Sequence, residues 1–253
     1  MAEQKKENKF PSEVIDLPSG GKVYPKGSPL ASGKLEIKYM TAREEDILTS
    51  QNLIKKGVVL DKLLESLIIS KGVKCEDLIL GDKNAVMVAA RILAYGSEYV
   101  AEVMHPETME VYKHEFDLSS CNFKDLVSDI DYSNNEFEFE LPVTKVKVTY
   151  KLLTGKEEKI INTELESRKK IGQSAEVTTR IKHALLSVDG ETERVTINSF
   201  VDNMLSKDSL SLRQEMARIA PDIDLSQEID MGGESVKVDI PMTVNFFWPQ
   251  TTT

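Results

Sequence analysis

Residues that could do chemistry are scattered through this chain, and no set of them completes a motif. Gly27-Ser-Pro-Leu-Ala-Ser-Gly33-Lys34 approaches the phosphate loop GxxxxGK, but it has one residue too many, and Leu35 stands where Ser or Thr would ligate magnesium. A plain turn is expected there. Asp129-x-Asp131-x-Ser133-Asn134-Asn135, with Glu140 at the twelfth position, has the ligand spacing of a calcium loop. Asn134 replaces the turn glycine, however, and an alternating strand follows Glu140 in place of an exiting helix. Asp and Asn side chains bonded to their own backbone explain that loop without a metal. His105 and His114 fall across a predicted hairpin and His183 lies apart from both. Two imidazoles without thiolates make a poor metal site, so an incidental surface pair is expected. Cys75 follows Lys74, which would lower its pKa slightly, although a buried or inert thiol is the commoner state. With Cys121 it gives two thiols, too few for a disulfide framework or a thiolate metal site, and both are expected reduced. The run Phe246-Phe247-Trp248-Pro249 holds the sole Trp of the chain. Such a cluster either locks the tail into its own core or presents an anchor to another protein.

Composition narrows the function classes. With 253 residues, 40% hydrophobic and 29% charged, the chain can bury a sizeable core in one domain or two. A net charge of −10, with its Lys and Arg dispersed, argues against a phosphate-binding surface and so against nucleic acid as partner. No apolar run approaches a membrane span, since the longest candidate, residues 78–93, is interrupted by Gly81, Asp82, Lys83, Asn84 and Arg91. MAEQKKENKF lacks the apolar core of a signal peptide, which makes cytosolic synthesis the expectation.

The elements that must position these residues are legible from periodicity. After a polar tail over 1–12, Leu35, Ile37 and Tyr39 alternate as a half-buried strand does. Thr41-Ala-Arg-Glu44 is a capping box, so a helix is expected from there to Lys56, stopped at Gly57. A second helix is expected over 58–69. A third begins beyond a break at Gly81-Asp82 and ends at Gly96. Residues 97–118 read as a hairpin turning at His105-Pro106-Glu107-Thr108, and residues 124–130 as a short helix. Phe137, Phe139 and Leu141, then Val146, Val148 and Tyr150, predict a second hairpin or meander. Helices follow after Gly155, over 177–188, behind a cap at Thr196 or Asn198, and behind Asp208 up to Pro221.

Ala-Arg-Ile at residues 90–92 returns at 217–219, each time before a strand, a turn and a strand, with Arg91 matching Arg218 at an offset of 127. Either the chain holds two related helix-plus-hairpin lobes or three residues match by chance. The expectation is an α+β fold of helices and antiparallel hairpins, divided as a flexible tail (1–12), an N-terminal helix-plus-hairpin lobe (13–128), a central hairpin or meander (129–159) and a C-terminal helix-plus-hairpin lobe (160–253).

Three stretches carry a family resemblance. LPSGGKVYPKGSPLASGKLEIKYMTAREEDILTSQNLIKKGVVLDKLLES from Leu17, LLTGKEEK from Leu152 and IPMTVNFFWP from Ile240 resemble the T-even-like bacteriophage baseplate family, whose members are baseplate hub subunits and hub assembly proteins. The resemblance spans residues 17–249. Some relatives in that family carry CxxC pairs in these hairpin turns, as zinc ribbons do, whereas this chain has MHPET and MGGES there and departs from the pattern, so zinc is not expected. The resemblance implies a non-enzymatic phage tail protein that binds other hub proteins and, as a further candidate, the tape-measure protein. It would be made in the host cytoplasm and could be retained in the virion. No catalytic residue, cofactor or metal ligand is assigned. Tyr24, Tyr39, Phe246, Phe247 and Trp248 are the candidate partner-binding residues, chosen for aromatic content and place in the matched stretches. The alternative from a different class is a small-ligand- or metal-dependent enzyme on an α+β scaffold, which would need a concave pocket with converging polar groups.

Overall fold

The computed structural model of the chain describes residues 11–170, 172 and 174–247; of the tail expected over 1–12, residues 1–10 lie outside the described ones. Strand β1 (Ser12–Asp16) pairs antiparallel with β2 (Lys34–Lys38), placing Ile15 opposite Leu35. The connection leaves β1 through Leu17-Pro18 and is closed where the Leu17 N–H donates to the Gly33 carbonyl at 2.8 Å. Gly21 and Gly33 let two passes of backbone touch. A Cβ on Gly33 would lie 2.6 Å from the carbonyl carbon of Gly20, and one on Gly21 would lie 2.6 Å from the Gly33 nitrogen.

The chain enters α1 (Ala42–Thr49) through the capping box foreseen at Thr41 and Glu44. The single helix expected up to Lys56 is divided, because Ser50 is extended (φ −66°, ψ 102°) between α1 and α2 (Gln51–Lys55). The Ser50 N–H donates to the Ile47 carbonyl and closes α1, and the Ser50 carbonyl accepts from Leu53 and Ile54 to open α2. Helix α3 (Val59–Leu67) buries Leu63, Leu64 and Leu67 completely. Helix α4 (Leu80–Tyr95) begins earlier than expected, with Gly81 and Asp82 in its first turn. Those residues do not break the helix because tertiary contacts use them. The backbone of Pro221 and Asp222 presses on Gly81, where a Cβ would meet the Pro221 oxygen at 1.8 Å, and Asp82 turns to the β1–β2 loop. Gly96, at φ 84°, ends the helix.

Strands β3 (Glu98–Met104) and β4 (Val111–Asp117) form the expected hairpin. The short helix expected over 124–130 is absent. Phe123 bridges to Ile223, Lys124 N–H donates to the Asp222 carbonyl and Asp224 N–H to that of Asn122, so extended pairing overrides local helix preference.

The remainder begins with the hairpin β5 (Phe137–Glu140) and β6 (Lys147–Tyr150), as expected, followed by α5 (Gly155–Lys170) and α6 (Glu176–Ala184). The helix expected over 177–188 stops at Ala184, because β7 (Leu185–Val188) joins β6 as a third strand and buries Leu185. Thr196 and Asn198 do not cap. They lie inside α7 (Arg194–Asp202), whose N-cap is Glu193. Asp208 likewise lies inside α8 (Ser206–Ile219). Strands β8 (Ser226–Asp230) and β9 (Ser235–Asp239) make the last hairpin, and a 3₁₀ turn over Val244–Phe247 closes the described chain.

Among the described residues this gives eight α-helices and four small antiparallel sheets, an α+β architecture. Buried apolar side chains from Leu17 to Phe247 form one contiguous cluster. The order of parts runs twice. Each time a hairpin with Leu-Pro after its first strand leads through Lys-x-x-Thr-x-x-Glu into helices, and a long helix with Ala-Arg-Ile in its last two turns precedes a second hairpin. The first round is Leu17-Pro18, Lys38/Thr41/Glu44 and α4; the second is Leu141-Pro142, Lys151/Thr154/Glu157 and α8.

Candidate functional site

Three of the five aromatic candidates are spent inside the chain. The Tyr24 hydroxyl donates to Asp82 Oδ2 (2.5 Å) and accepts from the Ile79 N–H (3.1 Å), so the ring is buried and its tip satisfied. Phe246 and Phe247 are fully buried and pack edge to face at 5.3 Å, with Phe246 also edge-on to Tyr99 at 4.9 Å. For Phe246 and Phe247 the alternative, locking the tail into the core, is the arrangement found. Buried rings cannot anchor a partner. Tyr39 is half-buried just past β2, and Trp248 lies outside the described residues.

The loops that resembled ligand sites spend their polar groups on their own backbone. Residues 29–32 of the glycine-bounded loop form a 3₁₀ turn, in which Ser28 accepts from the Leu30 N–H. Asp131 accepts from the Ser133 N–H at 2.9 Å, and the Asn135 amide bonds both the N–H and the carbonyl of Leu152. His105 is buried, which corrects the surface pair expected of it. Its Nδ1 accepts from the N–H groups of Glu107 and Thr108, both at 3.2 Å, while His114 lies further down β4 beside Phe116. A turn-capping imidazole is a packing device. Cys75 is buried too, and desolvation pushes its thiol up to about 11, overriding the nearby Lys83.

Buried charge is concentrated in four places, each bonded within the chain. Asp82 Oδ1 accepts from the Ser19 N–H (2.9 Å), and Oδ2 from the Ser19 (2.7 Å) and Tyr24 hydroxyls. Burial raises the Asp82 carboxyl despite those donors, and burial beside Asp82 raises the Tyr24 phenol. Asp208 accepts from the N–H groups of Val143 (2.8 Å) and Thr144 (3.1 Å) and from the Thr144 hydroxyl. Arg91 points three N–H groups at the carbonyls of Phe246, Gly96 and Glu98, each at 2.9 Å. Burial alone would raise Glu44, but hydrogen bonds from Lys38 and Thr41 bring it down to about 2. Glu157 repeats this with Lys151 and Thr154, again reaching about 2.

One of the open clefts is an apolar trough of about 500 Å³ where the two rounds of the fold meet. One wall is the face of α8 carrying Arg213, Met216, Ala217 and Ala220, residues at i, i+3, i+4 and i+7. The other is the face of α6 carrying Val177, Arg180, Ile181 and Ala184. Ile79 to Gly81, Lys151 to Leu153 and Pro221, with Glu158 and Glu176, complete the lining. Leu80 and Val177, 51% and 43% exposed, bring two large apolar side chains to the same cleft. Its charges are largely tied down. Arg180 holds Glu158 (2.7 Å) and Glu176 (3.3 Å), and Lys151 holds Glu157 (2.6 Å). Arg213 is exposed and has no hydrogen-bond or ion-pair partner among the described residues. The sequence contained a signal for this face in the spacing of Met216, Ala217 and Ala220. That spacing specifies a helix, but nothing in the pattern tells an apolar stripe that is covered from one that is not.

No helix among the described residues is long and apolar enough to cross a membrane, and no group of three or more metal-ligating side chains is gathered among them. No protein-family model, curated protein or solved structure matches the chain.

Proposed function

We propose that this chain is a non-enzymatic component of a phage tail baseplate, a hub subunit or a hub assembly factor, that acts by binding other hub and tail proteins. The observation that carries the reading is the trough between α6 and α8: apolar along its length, open to solvent, and with most of its charged groups already paired within the chain. Such a surface offers contact area, whereas a catalytic pocket offers converging polar groups with free bonding capacity. The disposition of buried charge supports the same reading, since Asp82, Arg91, Asp208 and Glu44 all hold backbone or caps in place. The three stretches that resemble the baseplate family supply the class of partner. Leu17, Tyr24, Leu35 and Ile37 of the first are buried, which gives that stretch a part in building the fold.

The test is to co-express the chain with the hub and tape-measure proteins of its phage, purify it through a tag, and analyse what survives size exclusion, alongside mass spectrometry of finished particles. A hub component that co-elutes, with the chain also in particles, makes it a structural subunit. Co-elution without the chain in particles makes it an assembly factor. If no hub or tail protein co-elutes, the proposal is wrong, and the enzyme alternative is next to be tested with metals and ligands.

A further inference from the structure

We infer that the trough between α6 and α8 receives one amphipathic helix of a hub or tail protein, with its apolar face down and a carboxylate against Arg213. The inference rests on the binding-protein reading above and adds the place, the conformation and the charge of what is bound. Val177 to Ala184 and Arg213 to Ala220 each rise roughly 10 Å along their helices, so the trough is about two turns long. That length suits three apolar side chains of the guest at i, i+3 or i+4, and i+7.

A helix is the form that fits these walls. Rows of side chains at i, i+3, i+4 and i+7 make ridges and grooves into which the ridges of another helix pack. Ala217 and Ala220 carry only methyl groups on the α8 side, so a guest backbone can come close there. An extended segment would instead need an unpaired strand edge, and no lining residue belongs to a strand. A small polar ligand would need free converging donors or acceptors, and Arg180 and Lys151 are already held by their own carboxylates.

Charge sets the orientation. The chain carries −10 overall, yet the one exposed charge on the trough wall without a described partner is the cation Arg213. A guest carboxylate there gains a partner and escapes the general repulsion, while a guest cation would face Arg213 directly. Arg213 lies at the α6–α8 end opposite Ala220, which fixes which end of the guest is acidic.

The test uses the full chain co-expressed with the hub and tape-measure proteins, with a photo-crosslinking residue at position 217. The crosslink is expected in a helical segment of the captured protein, with apolar residues three and four apart and an Asp or Glu at the Arg213 end. Val177→Glu and Ala217→Glu are each expected to weaken capture by about tenfold or more. Arg213→Glu should weaken it less, with binding recovered when the guest carboxylate is changed to Lys. Val195→Glu, on an exposed residue of α7 outside the trough, should leave capture unchanged. Unaltered melting curves establish that the variants fold. If the wild type binds a hub protein and both trough variants bind it equally well, the trough is not the dock, although the binding-protein reading stands. A crosslink into an extended segment, or a small molecule that native mass spectrometry finds in the trough, overturns the helical guest. Should the wild type capture no hub or tail protein, both proposals fall together.

Discussion

Asp82 and Asp208 each occupy the third position of a long helix, α4 in one case and α8 in the other, and each reaches back to the turn of the hairpin that opens its round of the fold. The bonds are alike: a backbone N–H and a side-chain hydroxyl of the turn, Ser19 in the first and Thr144 in the second, meet the carboxylate. The surroundings differ. Ser19 is wholly buried and Tyr24 adds a third side of protein, whereas Val143 and Thr144 are exposed. Accordingly Asp82 is pushed above the usual carboxylate range by burial, while at Asp208 the donors outweigh burial and hold it below. One capture device thus serves as a core element in one place and as a surface clasp in the other.

The residue before each aspartate gives the largest expected contrast. Gly81 lies under the backbone of Pro221, while Lys207 points to solvent. Gly81→Ala should cost about 3 kcal/mol or more, because neither backbone can yield a contact of 1.8 Å without opening the seam. Lys207→Ala should stay within about 0.5 kcal/mol. Denaturant midpoints of the two variants measure both, and comparable values would show that the halves are not locked at Gly81.

The matching arginines come next. Arg91 satisfies three carbonyls and ties the closing 3₁₀ turn to α4, whereas Arg218 forms a half-exposed pair with Glu215 in its own helix. Arg91→Ala is expected to cost about 3 kcal/mol and to expose Phe246 and Phe247 to a hydrophobic dye, with Arg218→Ala nearly silent. Asp82→Ala follows at about 2–3 kcal/mol, since it strands the Ser19 and Tyr24 donors in the core. Asp208→Ala should be milder, because water can reach the turn it releases. Thermal melts of the pair decide this, and equal losses would mean that exposure of the turn does not set the cost.

This comparison also marks how far the sequence could be read. Both capping boxes, both Leu-Pro turns and both Ala-Arg-Ile segments are present in it, yet each pair falls at an offset of its own. The β1–β2 connection is longer than the β5–β6 one, and the stretch from Thr154 to Arg218, which includes β7, is longer than that from Thr41 to Arg91, so the matched features drift apart along the chain. Hairpins and most helices were legible because alternation and 3.6-residue periodicity are local properties. The failures lie where a distant segment decides: Leu185 to Val188 became a strand because β6 had an edge to fill, and pairing of residues 122–124 with 222–224 holds the chain extended where the helix was expected to begin. The trough was legible as an amphipathic helix but not as a site, since its vacancy depends on how α6 and α8 are placed by everything else.

Glu44 and Glu157 provide the finest test, because here the two rounds share even their lysine and threonine partners. Both carboxyls titrate near 2 in the fold, below the ordinary glutamate range, so each stabilises the folded state at pH values above about 4.5. That contribution fades as the pH falls toward 2, when both states become protonated. Asp82 acts in the opposite sense, since a raised carboxyl pKa favours the fold more as the pH drops, and it blunts the acid transition. Glu44→Gln and Glu157→Gln should each lose about 1–2 kcal/mol at neutral pH and flatten the acid limb of melting temperature against pH. Glu44 should lose more, because its side chain is 1% exposed against 20% for Glu157, and its lysine is the better shielded of the two. If the two variants give superimposable curves, burial does not distinguish the junctions and the capping box alone sets their strength.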